Sequence, residues 1–165
     1  MSTHLVVMGV TGTGKSTLAQ ALAQRLGWPF AEGDDLHPSA NVAKMAAGIP
    51  LEDADRWPWL DTIAAWTTER ALEDHSTIVT CSALRRAHRD RLRAAAAGTL
   101  FVHLVGSREL LAERMAGRAG HFMPSSLLAS QLETLEPLEA DEPGVVVDVS
   151  GTVDAMVAQV LEFLA

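Results

Sequence analysis

The chain has 165 residues, 48 % of them apolar and 21 % charged, with a net charge of −8 and one cysteine. That length suits one core, predicting a single domain over residues 1–165, and the balance is that of a globular protein. The lone Cys81 excludes an internal disulfide and fits a reducing, cytoplasmic compartment. The N-terminal MSTHLVVMG lacks a basic n-region and a long apolar run, so no signal peptide is predicted. No apolar stretch approaches the roughly 20 residues of a membrane span.

The charge is uneven. Residues 1–118 hold all 13 Lys and Arg with 13 of the 21 acids, and the rest carries eight acids and no Lys or Arg. Eight of the 13 basic residues fall between Arg85 and Arg118. A nucleic-acid partner calls for a net basic face; this local cluster suits small anions instead, though some of its arginines also fit a solvated helix face.

Taken in order, the chain opens with an apolar strand, Leu5–Met8, and a helix over Ser16–Leu26 that puts Leu18, Leu22 and Leu26 on one face. A second strand covers Pro29–Glu32, a helix starts near Ser39, and another spans Trp59–Leu72. Then follow a strand at Thr77–Cys81, an arginine-rich helix at Leu84–Ala97, a strand at Leu100–Val105 and a helix at Arg108–Arg118. A helix at Ser125–Leu135, a strand at Val145–Val149 and a helix at Val153–Leu164 complete the set. Strands that are apolar almost throughout are covered on both faces, and strand–helix alternation means an open, mostly parallel α/β sheet with right-handed crossovers. Ligands of such sheets gather at the carboxyl ends of the strands. Here those ends are Gly9 onward, Gly33–Asp35 and Ser82–Ala83.

Gly9-Val10-Thr11-Gly12-Thr13-Gly14-Lys15-Ser16 reads G-x4-G-K-S between a strand and a helix. Glycines there let consecutive N–H groups wrap a phosphate, and the following helix turns its positive end toward the same anion. Lys15 is expected to reach the β- and γ-phosphates and Ser16 to offer its hydroxyl to Mg2+. The sequence therefore predicts binding of ATP or a close relative, with Gly9, Gly12, Thr13, Gly14, Lys15, Ser16 and Thr17 around the phosphates. No N-K-x-D guanine motif is present. The third strand ends Val79-Thr80-Cys81-Ser82 without the paired acids of a motor ATPase. Both absences favour a small-molecule kinase over a nucleotide-dependent switch.

Glu32 and Asp34 close the second strand, two residues apart, on one side if the strand persists. Either can hold Mg2+ through water. Asp34 is the candidate to orient and deprotonate an acceptor alcohol, while Asp35 better suits a cap on the helix near Ser39. Arg56, just before Trp57-Pro58-Trp59, suits a bidentate clamp on a carboxylate or phosphate; it can equally pair with Asp53 or Asp55. Trp57 and Trp59 read as core. Arg114, Arg118 and His121 flank the glycine-spaced AGRAGHFMP. Arginines there fit either a lid closing over phosphoryl charge or a basic helix C-terminus. No His/Cys/Asp grouping has zinc-site spacing.

The segments GVTGTGKST, FAEGDDLHPSANVAKMAAGIPLEDADRWPWL, TCSALRRAHRDRLR and GHFMPSSLLASQLETLEP, from Gly9 to about Pro137, resemble the gluconate kinase family, relatives of shikimate and nucleoside monophosphate kinases. The resemblance implies a three-layer α/β/α P-loop kinase fold, with five parallel strands in the order 2-3-1-4-5, a mobile lid at about 114–125, and a homodimer. It implies ATP-dependent phosphorylation of the C6 hydroxyl of D-gluconate with Mg2+. Carried over by position, Lys15, Asp34 and Arg118 are catalytic; Lys44, Arg56, Ser82, Arg89, His121 and Gln131 face the substrate with Asp34; Arg114 and Arg118 sit in the lid. Two departures are small: Thr11 and Thr13 stand where serines are common, and Glu32 where the family has Asp. The competing readings are a kinase for shikimate or a nucleoside monophosphate, and a nucleotide-dependent switch.

Overall fold

The structure, a computed structural model, describes residues 2–116 and 126–165. Strand β1 (His4–Met8) is buried along its whole length and sits in the middle of the sheet. Parallel pairing joins it to β3 (Thr77–Thr80) on one side and β4 (Thr99–Val105) on the other, with Val6 opposite Val79 and Phe101. β2 (Phe30–Glu32) pairs with β3 and β5 (Gly144–Asp148) with β4, giving the order β2-β3-β1-β4-β5 that the family resemblance implies.

Period-two alternation splits β1 between two cores. Leu5 and Val7 pack with Leu18 and Leu22 of α1 (Lys15–Leu26) and with Val157 and Val160 of α7 (Val153–Leu164). Val6 and Met8 face the opposite way, onto Trp59, Leu60 and Ile63 of α3 (Asp53–Leu72) and Leu92 of α4 (Arg86–Arg93). This is the three-layer arrangement, with the central strands β1, β3 and β4 covered on both sides. The remaining helices are α2 (Ser39–Ala46), α5 (Arg108–Ala116) and α6 (Ser126–Thr134).

Three local expectations are corrected. α3 begins at Asp53, six positions before Trp59, because the acidic run is a helix start rather than a loop. Asp55 turns back to accept the Glu52 N–H at 2.9 Å, in the manner of a capping box. Arg56 therefore lies in the first turns of α3, not ahead of it. α4 is shorter than Leu84–Ala97: Ala83 adopts φ 44°, and the Leu84 carbonyl accepts the N–H of Glu136 at 2.6 Å instead of opening a helix. Asp35 does not cap α2, whose N-cap is Pro38 with no side-chain cap bond.

Candidate active site

One cleft lies at the carboxyl ends of β1, β2 and β3, and the phosphate loop forms its floor. Gly14 caps α1 in the left-handed region (φ 84°), which an L side chain rarely adopts, and its carbonyl accepts the first helical N–H from Leu18 at 3.1 Å. Gly14 has no side chain to cap this helix end, and the positive end of the helix dipole points into the loop, where it favours an anion. Thr13 Oγ1 donates to the Val10 carbonyl (2.8 Å) and Gly9 N–H to the Ser82 carbonyl (3.3 Å), bracing the loop from within and against β3. Lys15 Nζ reaches the Gly9 and Val10 carbonyls at 3.1 Å each. Gly12, Gly14, Lys15, Ser16 and Thr17 line the cleft. Gly9 and Thr13 shape the loop from behind it.

On the β2 side the chain turns into a 3-10 segment, Gly33–Leu36. Glycine is required at 33, because a Cβ there would run into the Thr80 carbonyl oxygen. That close approach lets Gly33 N–H donate to Thr80 Oγ1 (2.9 Å), while the Thr80 hydroxyl donates to Glu32 Oε1. Glu32 Oε2 accepts from Ser16 Oγ at 2.5 Å. Glu32 thus joins α1 to the ends of β2 and β3. The Ser16 hydroxyl and the Glu32 and Asp34 carboxylates share the cleft wall. These are all oxygen donors, and they fit a hard cation such as Mg2+ that keeps part of its water shell.

The acceptor side is built on the turn after β2 and on α3. Trp59, 2 % exposed, donates its indole N–H to the Gly33 carbonyl at 2.7 Å, fixing the turn that carries Asp34. Trp59 belongs to the core, as expected, and lines the cleft as well. His37 stacks on it, ring centroids 4.0 Å apart. Burial first, and then the charge of Arg56, hold the His37 imidazole down to about pKa 4. Arg56 is buried and lines the cleft, with Nη1 on Asp53 Oδ1 at 3.3 Å. Burial works against its charge and Asp53 works for it; a guanidinium stays protonated regardless. Of the partners left open for Arg56, the structure shows Asp53, and the paired guanidinium still lines the cleft. Asp53 in turn accepts from His88 Nε2 at 2.9 Å, and this bond, ahead of the nearby cations, keeps its carboxyl below the usual range. Because His88 Nδ1 accepts the Arg85 N–H (3.1 Å), the ring is neutral with its proton on Nε2.

Ser82 and Gln131 also reach the cleft, and Gln131 Oε1 accepts the Thr11 N–H of the phosphate loop at 2.6 Å. Other expected residues do not meet there. Lys44 binds Asp55 at 2.9 Å and is not part of the cleft wall. Arg89 is fully buried, bonded to Glu142 at 2.6 and 3.1 Å and to the carbonyls of Ala83 and Pro137, and it is not part of the cleft wall. Its intended anion is a side chain of the protein. Arg114 donates to the Val149 carbonyl at 2.7 Å, again off the cleft wall. Arg118 and His121, and most of the expected lid, lie outside the described residues. His37 was missed, although its place three residues after Asp34 puts the two on one side of a 3-10 turn. An apolar wall from Met45, Leu51 and Leu127 was missed too, being contributed by α2, the connection to α3, and α6.

Comparison with known proteins agrees with this geometry. A family model described as an AAA domain matches residues 5–138. The gluconokinase of Gluconobacter oxydans (strain 621H) is 55 % identical over 147 residues, covering 89 % of this chain and 82 % of the relative. A gluconokinase structure from Sinorhizobium meliloti 1021 superposes with TM-score 0.89 at 50 % identity, covering 98 % of this chain and 91 % of the other. A sugar kinase structure from Janibacter sp. HTCC2649 gives TM-score 0.96 at 49 % identity, covering 99 % and 95 %. The phosphate loop, the sheet order and this degree of identity together place the chain in the gluconokinase family of P-loop kinases.

Proposed function

We propose that the protein is a gluconokinase, transferring the γ-phosphoryl group of ATP to the C6 hydroxyl of D-gluconate to give 6-phospho-D-gluconate and ADP. The observation that carries this reading is the pairing across one cleft of the Lys15 loop with Asp34 and the buried Arg56. The identity to gluconokinases supports the choice of acceptor.

Gluconate is a linear polyol with a single carboxylate. Arg56, held from behind by Asp53, takes the carboxylate in a bidentate grip, while Ser82 and Gln131 provide partners for hydroxyls. Asp34 accepts the proton of the C6 hydroxyl as its oxygen bonds to the γ-phosphorus and the bond to the β-bridging oxygen breaks, leaving ADP. Lys15 and the N–H groups of the loop carry the charge that spreads over the phosphoryl oxygens. Mg2+ would be held by Ser16, with Glu32 and Asp34 reaching it through water, and supplies further neutralisation of phosphate charge. In the same reading Arg114, Arg118 and His121 belong to a lid, and Lys44 and Arg89 support the site from outside it. The chain then acts as one kinase domain in the cytoplasm, as its length and lone cysteine suggest, and as a homodimer, as the family resemblance implies.

The test is ADP release from ATP and Mg2+ over a panel of sugar acids, shikimate and nucleoside monophosphates. D-gluconate is expected to stimulate release well above every other acceptor. No stimulation by any sugar acid would overturn the reading.

A further inference from the structure

His37 takes no part in the chemistry set out above, yet its side chain is only 2 % exposed and lies on the acceptor wall. Its tautomer is fixed by a chain of hydrogen bonds that begins at a backbone carbonyl. The Asp55 carbonyl can only accept, so the group of Asn41 that meets it at 2.9 Å is the NH2 of the amide. The same NH2 lies 3.1 Å from His37 Nδ1, which therefore accepts its second hydrogen. Nδ1 is thereby bare of hydrogen, and Nε2 carries the ring proton.

Among the described residues that Nε2–H has no hydrogen-bond partner. The nearest carboxylate oxygen among the described residues, Asp34 Oδ1, is 3.8 Å away, beyond a direct bond. Two hydrogen bonds of about 2.8 Å meeting at a tetrahedral oxygen span roughly 4.6 Å, so a single bridging hydroxyl fits once the half-exposed Asp34 carboxylate opens the gap by under about 1 Å. The ring cannot turn away. It is stacked on Trp59 at 17° between planes, and Trp59 is itself pinned to the Gly33 carbonyl.

We propose that His37 is an acceptor-binding residue, donating its Nε2–H to a hydroxyl oxygen of the sugar acid whose own proton is directed at Asp34. This rests on the gluconokinase reading and extends it to how the acceptor hydroxyl is selected. A hydroxyl in that position satisfies both groups at once. An acceptor lacking it leaves a buried N–H unpaired, the kind of loss that separates close analogues strongly. Because ring and donor are held in place beforehand, little ordering cost is left for binding.

The experiment compares wild type, His37→Phe and His37→Gln with D-gluconate and with deoxygluconates lacking single hydroxyls. His37→Phe keeps the stacked ring but removes the donor. It is expected to raise KM and the dissociation constant for D-gluconate roughly 10- to 100-fold and to leave KM for ATP unchanged, while the dissociation constant of 6-deoxygluconate, which lacks the bridged hydroxyl and is not phosphorylated, stays nearly the same. His37→Gln, which restores an N–H, should recover part of the loss. Unchanged kinetics in His37→Phe, or equal losses for ATP and every acceptor, would overturn the proposal. If the variants do not fold, 15N-detected histidine NMR of the wild-type protein decides: the Nε2–H tautomer supports the proposal, and Nδ1–H contradicts it. A wild type inactive on D-gluconate but active on another sugar acid would displace the substrate assignment, and the His37 comparison then runs on that acceptor.

Discussion

Arg89 and Glu142, both fully buried, meet through two hydrogen bonds of 2.6 and 3.1 Å, 53 positions apart in the chain. The remaining donors of Arg89 hold the carbonyls of Ala83, next to Ser82 on the cleft wall, and of Pro137, beyond α6. The pair thus ties the end of β3 to the segment entering β5. Glu142→Ala leaves the buried Arg89 without its carboxylate, at a cost of about 3–5 kcal/mol, whereas in Arg89→Ala the Glu142 carboxylate keeps Arg93 at 3.4 Å. Glu142→Ala should therefore lower unfolding free energy by about that amount, Arg89→Ala by less, and the double variant by less than the sum, as read from denaturant titration. If Arg89 bound substrate instead, its loss would raise KM with little change in stability.

Asp34 sits on a turn pinned by Trp59, which donates to the Gly33 carbonyl. Asp34→Asn keeps the size and removes the proton acceptor. The expected result is a fall in kcat of at least about 100-fold, with KM for ATP within a factor of two. Retained turnover would remove Asp34 from the proton transfer.

Arg56 and Asp53 form a graded pair. Arg56→Ala removes the cation facing the cleft and should raise KM for D-gluconate by roughly 10- to 100-fold. Asp53→Asn leaves the guanidinium but removes the carboxylate charge behind it, at the oxygen that Arg56 shares with His88. Its effect on KM should run in the same direction and be smaller. A change confined to ATP in either variant would reassign the guanidinium to the donor side.

His103 on β4 is 2 % exposed with Nε2 unbonded among the described residues, and burial, followed by the charge of Arg89, lowers its pKa to about 4 despite the opposing pull of Glu142. The unfolded chain takes up this proton near pH 6.5 and the native protein does not until about pH 4. Stability is therefore complete above pH 6.5 and declines as the pH falls through that window, by up to about 1.4 kcal/mol per unit. His37 adds to the slope for the same reason. Denaturant unfolding at pH 7, 6 and 5 should show the decline, and His103→Phe should flatten it by up to one proton.

The sheet was legible because strands covered on both faces are apolar along their length, as in Leu5–Met8 and Ile78–Val79, and because the phosphate loop marks where the central strand ends. Helix starts were harder. Glu52-Asp53-Ala54-Asp55 reads as a polar loop until the Asp55 carboxylate is seen to bond back to Glu52 N–H. In the site, Lys15, Ser16, Glu32, Asp34, Arg56, Ser82 and Gln131 do converge on one cleft. Arg89 and Lys44 could not be sorted from the sequence, because a basic side chain reads alike whether its anion is a ligand or a distant acid. Only the fold brings Glu142 to Arg89 and Asp55 to Lys44. His37 was overlooked for the converse reason: its role depends on Asn41 and Trp59, which approach it from two other elements.

The central claim is phosphoryl transfer to one hydroxyl of one sugar acid, and the structure of the product tests it most directly. With ATP, Mg2+ and D-gluconate, 13C and 31P NMR of the reaction mixture should show a single new phosphate ester whose phosphorus couples to C6. A phosphate ester at another carbon, or ATP hydrolysed to ADP and free phosphate with gluconate unchanged, would contradict the account.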